Sequence, residues 1–564
     1  LYRIRPSGVV GPTHPMDKFP PPAPQLPTIG SSRARTASGA SIASSAWTPL
    51  GSIAPMTSAT RPFCGQQALL LWTPSASSKS RLFLSFGLLP ASSPVVDSIY
   101  FFEVTSLFKL WERPHRSLAR LARRHGSLIS IRLGTVYAVV ATSPEAAREV
   151  LQRRNASLAA RRGLDAWRVM GHDENSMIAL PPGAKWHALR KLAAAGLAGP
   201  RRLAEQAATR EEKMSELVRR VADTGAPVAV ARVAFAAVVG VLCQGMFSQD
   251  LEPALVDELT DVAVEASVLS GAPNVSDFCP SLAFADLQGV RRRAGKLVAW
   301  LYNIIDGQIE QRRCSRAAGG KCKNDLLDVM LDMEGEALEE GWVMNQEGNN
   351  LVFIWHLISS MYFQELVLAS ASLSAATEWT MAELLQNQPS MKKLKQEIAS
   401  VHGTKPTMEE ANLNQLPYLQ AVINETLRLH PPVPFATGLA EAAVQVQGYN
   451  IPKGTATFVN IWGICRDSEV WDEPEKFMPE RFLQNDINFF GTHFELISFS
   501  AGRRICPGLP LAAKLVPLMV GSLVHHFQWT LLPEDTIGNG IDMTEQFGLV
   551  MSMAIPLRAI AKKI

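Results

Sequence analysis

The chain has 564 residues, 47% of them hydrophobic, and its 55 Lys and Arg nearly balance 52 Asp and Glu for a net charge of +3. Near-neutrality at this size excludes binding that rests on neutralising phosphates, so no nucleic-acid partner is expected, while the apolar fraction is ample for a large core. The seven cysteines are scattered apart from Cys314 and Cys322, which makes neither a zinc nor a disulfide framework and fits a reducing compartment.

Residues 1–108 are rich in Ser, Ala, Pro and Thr without a sustained period, and are expected to form a disordered leader. No window in it reaches the roughly twenty apolar residues of a membrane-spanning helix. Ala68–Trp72 and Leu82–Leu89 are short, and Lys79 and Arg81 lie between them. No linker composition interrupts 109–564, which predicts one large domain. Leu118, Leu121 and Ala122 have helical spacing up to Gly126; Leu128–Leu133 and Tyr137–Ala141 then alternate like a hairpin, and Ser143–Gln152 returns to helix. An irregular polar stretch, 161–183, ends in Pro181-Pro182-Gly183. Trp186 and Arg190 follow at i and i+4 on one helix face, a pair that by itself fits ordinary packing.

Arg201 to Glu334 reads as successive amphipathic helices, broken at Pro280 and at Gly319-Gly320. From Asn349 to about Gln388 the pattern is one long buried helix, on the order of 60 Å at ~1.5 Å per residue. Gln364 and Glu365 interrupt its apolar run and argue against a membrane span. Glu425 and Arg428 stand at i and i+3 on a helix that stops at Pro431-Pro432, with Pro479-Glu480-Arg481-Phe482 downstream. In isolation such a pair belongs to a solvated face and contributes little. Val444–Gly448, Ile451 and Thr455–Val459 read as short strands lining a cavity.

The most informative stretch is Phe499-Ser500-Ala501-Gly502-Arg503-Arg504-Ile505-Cys506-Pro507-Gly508, followed by an apolar helical run from Leu509 to Phe527. One cysteine sits in a short loop with two glycines, which let the main chain approach a flat ligand. An arginine nearby offers a permanent, forked charge for a carboxylate. The alternative is a buried structural cysteine in a turn, against which stands the complete spacing Phe-x-x-Gly-x-Arg-x-Cys-x-Gly. That spacing resembles the haem-binding signature of the cytochrome P-450 monooxygenases, and the resemblance runs from about Pro114 to Ile564. The stretches Ile505–Ala512 and Ile555–Ala559 look most similar to the plant members of family seventy-six, which hydroxylate monoterpenols and related terpenoids.

The resemblance implies a mainly helical α+β fold, the cytochrome P-450 fold, whose helical domain and minor β-rich lobe enclose haem b (iron protoporphyrin IX). It makes Cys506 the thiolate ligand of the iron, with Phe499, Gly502, Arg504 and Gly508 completing the signature. Trp186 and Arg190 become contacts of a haem propionate, and 161–183 a cover over the substrate pocket. Glu425, Arg428 and Arg481 become a buried structural network behind the Cys506 loop. Gln546–Met551 matches a substrate-contact turn, whereas Val433–Glu441 lacks the basic residue common there. The resemblance further implies O₂ and a small apolar substrate, electrons from NADPH–cytochrome P-450 reductase, and attachment to the cytosolic face of the endoplasmic reticulum. The leader stands where such proteins carry an apolar anchor.

One departure concerns the central helix. Counting back from Glu378-Trp379 sets the family's threonine at Ser372, the expected catalytic hydroxyl, its acid at Ala371 and its glycine at Ala369; in another register Glu365 would supply the acid. With the unusual leader, this departure motivates a rival reading, a haem-binding relative with impaired oxygen activation; a third, a helical scaffold without haem, requires the whole cysteine signature to be accidental.

Overall fold

The computed structural model describes residues 101–103, 113–225, 227–339, 359, 360, 362, 364–403, 405, 408–533 and 540–564. The leader other than 101–103, and residues 349–358 of the expected long helix, lie outside them. All described residues fall in one unit, Pro94–Ile564.

Pro114 opens helix α1 (Pro114–His125), where its missing N–H would have had no partner in any case, and three basic residues sit in the last turn, where the helix dipole favours them. The expected hairpin follows as β2 (Leu128–Leu133) and β3 (Val136–Ala141), antiparallel, with Leu128 opposite Ala141. Strand β1 (Phe101–Glu103), inside the stretch assigned to the leader, runs parallel to β2. On the other side β3 pairs in parallel with β5 (Ala456–Asn460), which pairs antiparallel with β4 (Phe435–Leu439). The sheet order is therefore β1-β2-β3-β5-β4. A minor β-lobe joined to a helical body is the expected architecture.

Among the helices, α2 (Ala184–Ala193), α3 (Val230–Phe247), α4 (Pro253–Gly271) and α5 (Val290–Ala317) precede the central α6 (Ser370–Gln386). Behind it lie α7 (Pro417–Leu429) and α8 (Leu509–His526), whose start after Gly508 is where the sequence pattern sets it. Helices α3 and α8 are apolar and long enough to cross a membrane, but 67% and 72% of their spans are buried in the core, where α6 packs against both. A π-helical segment, Gln364–Ala369, leads directly into α6, and such segments mark functional positions in helices.

Every residue of α6 from Leu373 to Leu385 is buried, including Glu378, whose carboxyl has one described hydrogen bond, from the Leu557 N–H at 2.9 Å. Burial pushes this carboxyl up to about 7 from its ordinary 4.5, against the lowering effect of that bond. Because the folded state holds the proton more tightly than the unfolded chain, stability is full below pH ~4.5 and falls as pH rises towards ~7. Glu378→Gln, which keeps the acceptor, should leave the unfolding midpoint unchanged at pH 4 and raise stability by about 3 kcal/mol at pH 8. Thermal melts at the two pH values test this; an equal shift at both would refute it.

Candidate active site

Many parts of the chain line a cavity of about 440 Å³. The Cys506 loop contributes Phe499, Cys506 and Gly508, and the central helix contributes Ala369, Ser372 and Ala376. The stretch 161–178 and the turn Phe547–Val550 also line it, and the lining is mostly apolar. The cover loop and the C-terminal turn are thus where the sequence sets them. Of the expected cavity-lining strands, only β5 takes part, through Ala456 and Phe458. The hairpin Val444–Ile451 is absent from the lining, because it pairs only with itself, away from the main sheet.

The Cys506 loop is shaped by its own backbone. Cys506 N–H donates to the Phe499 carbonyl at 3.0 Å, and Ser500 and Gly502 adopt left-handed φ angles of 63° and 67°. At Gly502 a Cβ would overlap the Leu151 carbonyl oxygen, so only glycine fits. Gly508 ends the loop at the start of α8. Its φ of −80° suits any residue, and a Cβ there would lie 3.8 Å from Cys506 Sγ, an ordinary contact.

Four guanidinium groups line this cavity, and three of them, those of Arg161, Arg190 and Arg504, lie close enough to act on one another. Arg190 Nη1 donates to the Ile505 carbonyl at 2.9 Å, fastening α2 to the Cys506 loop. Arg504 donates to the carbonyls of Ala159, Met177 and Leu180. The indole of Trp186 carries both, with Arg504 at 4.7 Å and Arg190 at 5.2 Å from its ring centre. Its single N–H donates to the Met177 carbonyl at 3.0 Å. Arg161 is the residue the sequence reading missed. It lines the cavity, its Nη1 donates to Thr437 Oγ1 at 2.6 Å, and its buried Nε has no partner. Thr437 lies in the segment that lacks the family's basic residue, and Arg161 brings a positive charge to it from another part of the chain. The close approach that permits this is at Gly438, where a Cβ would overlap the Leu158 carbonyl; Ala159 and Ala160 bridge to Leu439 beside it.

No carboxylate among the described residues ion-pairs with Arg161, Arg190 or Arg504. Burial lowers Arg161 to about 10, and burial together with the charges of Arg161 and Arg190 lowers Arg504 to about 9. Clustered like charges, an orphaned buried donor and apolar walls fit a flat, apolar ligand that carries its own carboxylates at one edge. Among the described residues there is no cluster of three or more His, Cys, Asp or Glu to hold a bare metal ion, so an iron here would arrive inside such a ligand with Cys506 beside it.

Ser372 lines the cavity and its hydroxyl donates to the Ala369 carbonyl at 3.1 Å, whereas Ala371 packs towards the core. The backbone of Glu365 lies in the π-helical segment; its side chain is outside the described residues.

The ion network is present. Glu425 and Arg428 are fully buried and doubly bonded at 2.7 and 2.9 Å, and Arg481 Nε reaches Glu425 at 3.1 Å. Arg428 also donates to the carbonyls of Cys465, Pro474 and Lys476, and Glu425 accepts the Met478 N–H at 2.7 Å. From the same helix the Leu427 carbonyl accepts Ser498 Oγ at 2.8 Å, one residue before the Cys506 signature.

Residues 94–553 match the family described as Cytochrome P450. The chain is 38% identical over 468 residues to geraniol 8-hydroxylase of Catharanthus roseus, covering 81% of this chain and 91% of that one. It is 39% identical over 474 residues to carnosic acid synthase of Salvia fruticosa, with 82% and 92% covered. To geranylhydroquinone 3''-hydroxylase of Arnebia euchroma it is 35% identical over 460 residues, with 79% and 89% covered. With the signature cysteine in a cavity of matching chemistry, the chain belongs to the cytochrome P-450 family and is a monooxygenase whose cofactor is haem b.

Proposed function

We propose that this protein hydroxylates an apolar, terpenoid-like small molecule with O₂, taking electrons from NADPH through NADPH–cytochrome P-450 reductase at the cytosolic face of the endoplasmic reticulum. The observation that carries the reading is the mostly apolar cavity that holds both Cys506 and Ser372 in its lining. Relatives named for acting on geraniol and on geranylhydroquinone support the substrate class. When bound, a haem with a thiolate ligand supplies O–O cleavage and oxygen insertion. A bound haem would take Cys506 as its thiolate ligand, and Arg161, Arg190 and Arg504 would neutralise its propionates, with Trp186 beside Arg190 and Arg504 at that edge. Phe499 and Gly502 shape the loop around the sulfur, Gly508 closes it beside Cys506, and the apolar lining keeps water from the reacting carbon. The test is turnover with the reductase and NADPH against a terpenoid panel, scoring products one oxygen heavier; no product from any terpenoid, with haem loaded, would overturn the substrate class.

A second reading, an impaired relative, is favoured by Ala371. Ser372 can pass a proton only by releasing Ala369, and the neighbouring side chain can neither donate one nor gather water. Ala371→Asp should then raise product formed per NADPH consumed by about tenfold. No gain in coupling, together with a collapse in Glu365→Ala, would make Glu365 the proton donor instead.

A further inference from the structure

The cavity holds a second polar cluster, which shares no described hydrogen bond with Arg161, Arg190 or Arg504. Arg162 and Asp277 both line it, in company with Leu133, Leu164 and Phe278. Arg162 Nη2 donates to the Asp277 carbonyl at 2.6 Å, its one described hydrogen bond, so most of its N–H groups remain available. Asp277 Oδ1 accepts the Asp165 N–H at 2.8 Å, and among the described residues Oδ2 accepts nothing. The platform beneath is rigid. Asp165 is buried, Arg291 grips its Oδ1 at 2.6 and 3.2 Å, and Asn274 Nδ2 reaches its Oδ2 at 3.4 Å. Burial pushes the Asp277 carboxyl up and the Arg162 guanidinium down, so both groups are short of solvation where they stand.

We propose that Asp277 and Arg162 are the specificity-determining pair of this enzyme and read a neutral hydroxyl on the substrate. Asp277 Oδ2 accepts the hydroxyl hydrogen, and Arg162 donates to its oxygen. A hydroxyl is donor and acceptor at once and satisfies both groups. A hydrocarbon would bury them without partners, which costs binding. A carboxylate would meet Arg162 but be repelled by Asp277, and an ammonium the reverse. The substrate is therefore an alcohol or phenol with a long apolar body, which deepens the terpenoid reading and rests on it for the nature of that body.

Titrating the haem-loaded enzyme and following the Soret shift on ligand binding tests the pair. Two matched probes serve: geraniol against 2,6-dimethylocta-2,6-diene, and 1-decanol against decane. The wild type should bind each alcohol about tenfold or more tighter than its hydrocarbon. Asp277→Asn keeps an acceptor for Asp165 and should weaken the alcohols about tenfold while leaving the hydrocarbons unchanged; Asp277→Ala should do the same. The haem content and the carbon-monoxide spectrum of both variants should match the wild type. Equal affinity for alcohol and hydrocarbon in the wild type, or equal weakening of both in the variants, overturns the proposal. If neither terpenoid binds but decanol is preferred over decane, hydroxyl recognition stands and the terpenoid body is what fails.

Discussion

Alanine at position 506 should abolish the thiolate-type Soret band of the reduced carbon-monoxide complex and, with it, all turnover. The expectation rests on elimination as well as on the signature. Among the described residues the cavity lining contains no other cysteine. Cys243 and Cys465 are buried in the core, where burial pushes their thiols up, Cys465 to about 11, so neither is poised to give a thiolate. Cys506, in contrast, stands in a partly exposed loop beside the charge of Arg190. Since a thiolate pushes electron density onto the iron and an alanine side chain supplies none, the band and the activity should disappear together. Purified Cys506→Ala, reduced under carbon monoxide, provides the measurement. Retention of the wild-type band would show that the ligand is another residue.

What the sequence made legible was local. Helix α1, the β2–β3 hairpin and the start of α8 are written in short-range periodicity, with proline and glycine at their boundaries, and each lies where the pattern sets it. The Glu425–Arg428 pair was visible at i and i+3, but its burial was inferred through the family's motifs, because spacing alone also describes a solvated face. The roles of Arg161 and Asp277 were not legible from periodicity. Arg161 acquires its role by bonding Thr437, 276 positions away, and Asp277 by meeting Arg162 at a separation of 115. Periodicity says which face of an element is apolar; it does not say which two loops will meet over a cavity. The adjacent pair Arg161-Arg162 at the head of an otherwise apolar cavity's cover was the only available signal. At Trp186 and Gly508 the resemblance supplies a role, while the structure shows an indole N–H bonded to the Met177 carbonyl and a glycine whose Cβ position lies 3.8 Å from Cys506 Sγ.

Glu425→Ala should yield protein that is mostly haem-free or aggregated, although Glu425 is absent from the cavity lining. Its carboxylate answers two guanidinium groups at once, Arg428 through two bonds and Arg481 through one, and the Arg428 side chain has no exposure to water. Removing the carboxylate leaves Arg428 facing only backbone carbonyls, and an unpaired buried charge costs on the order of 3–5 kcal/mol. That is a large share of the ~5–15 kcal/mol that separates a typical folded domain from its unfolded chain. The same residue anchors the Met478 N–H, and its helix neighbour Leu427 anchors Ser498, so the loss propagates directly to the loop that carries Cys506. Glu425→Gln, which keeps the shape and some hydrogen bonding but not the charge, should fall between the two. Haem content per mole of purified protein, read beside circular dichroism, distinguishes lost cofactor from lost fold. Recovery of Glu425→Ala fully loaded with haem, its turnover merely slowed, would move Glu425 out of the structural network and into the chemistry.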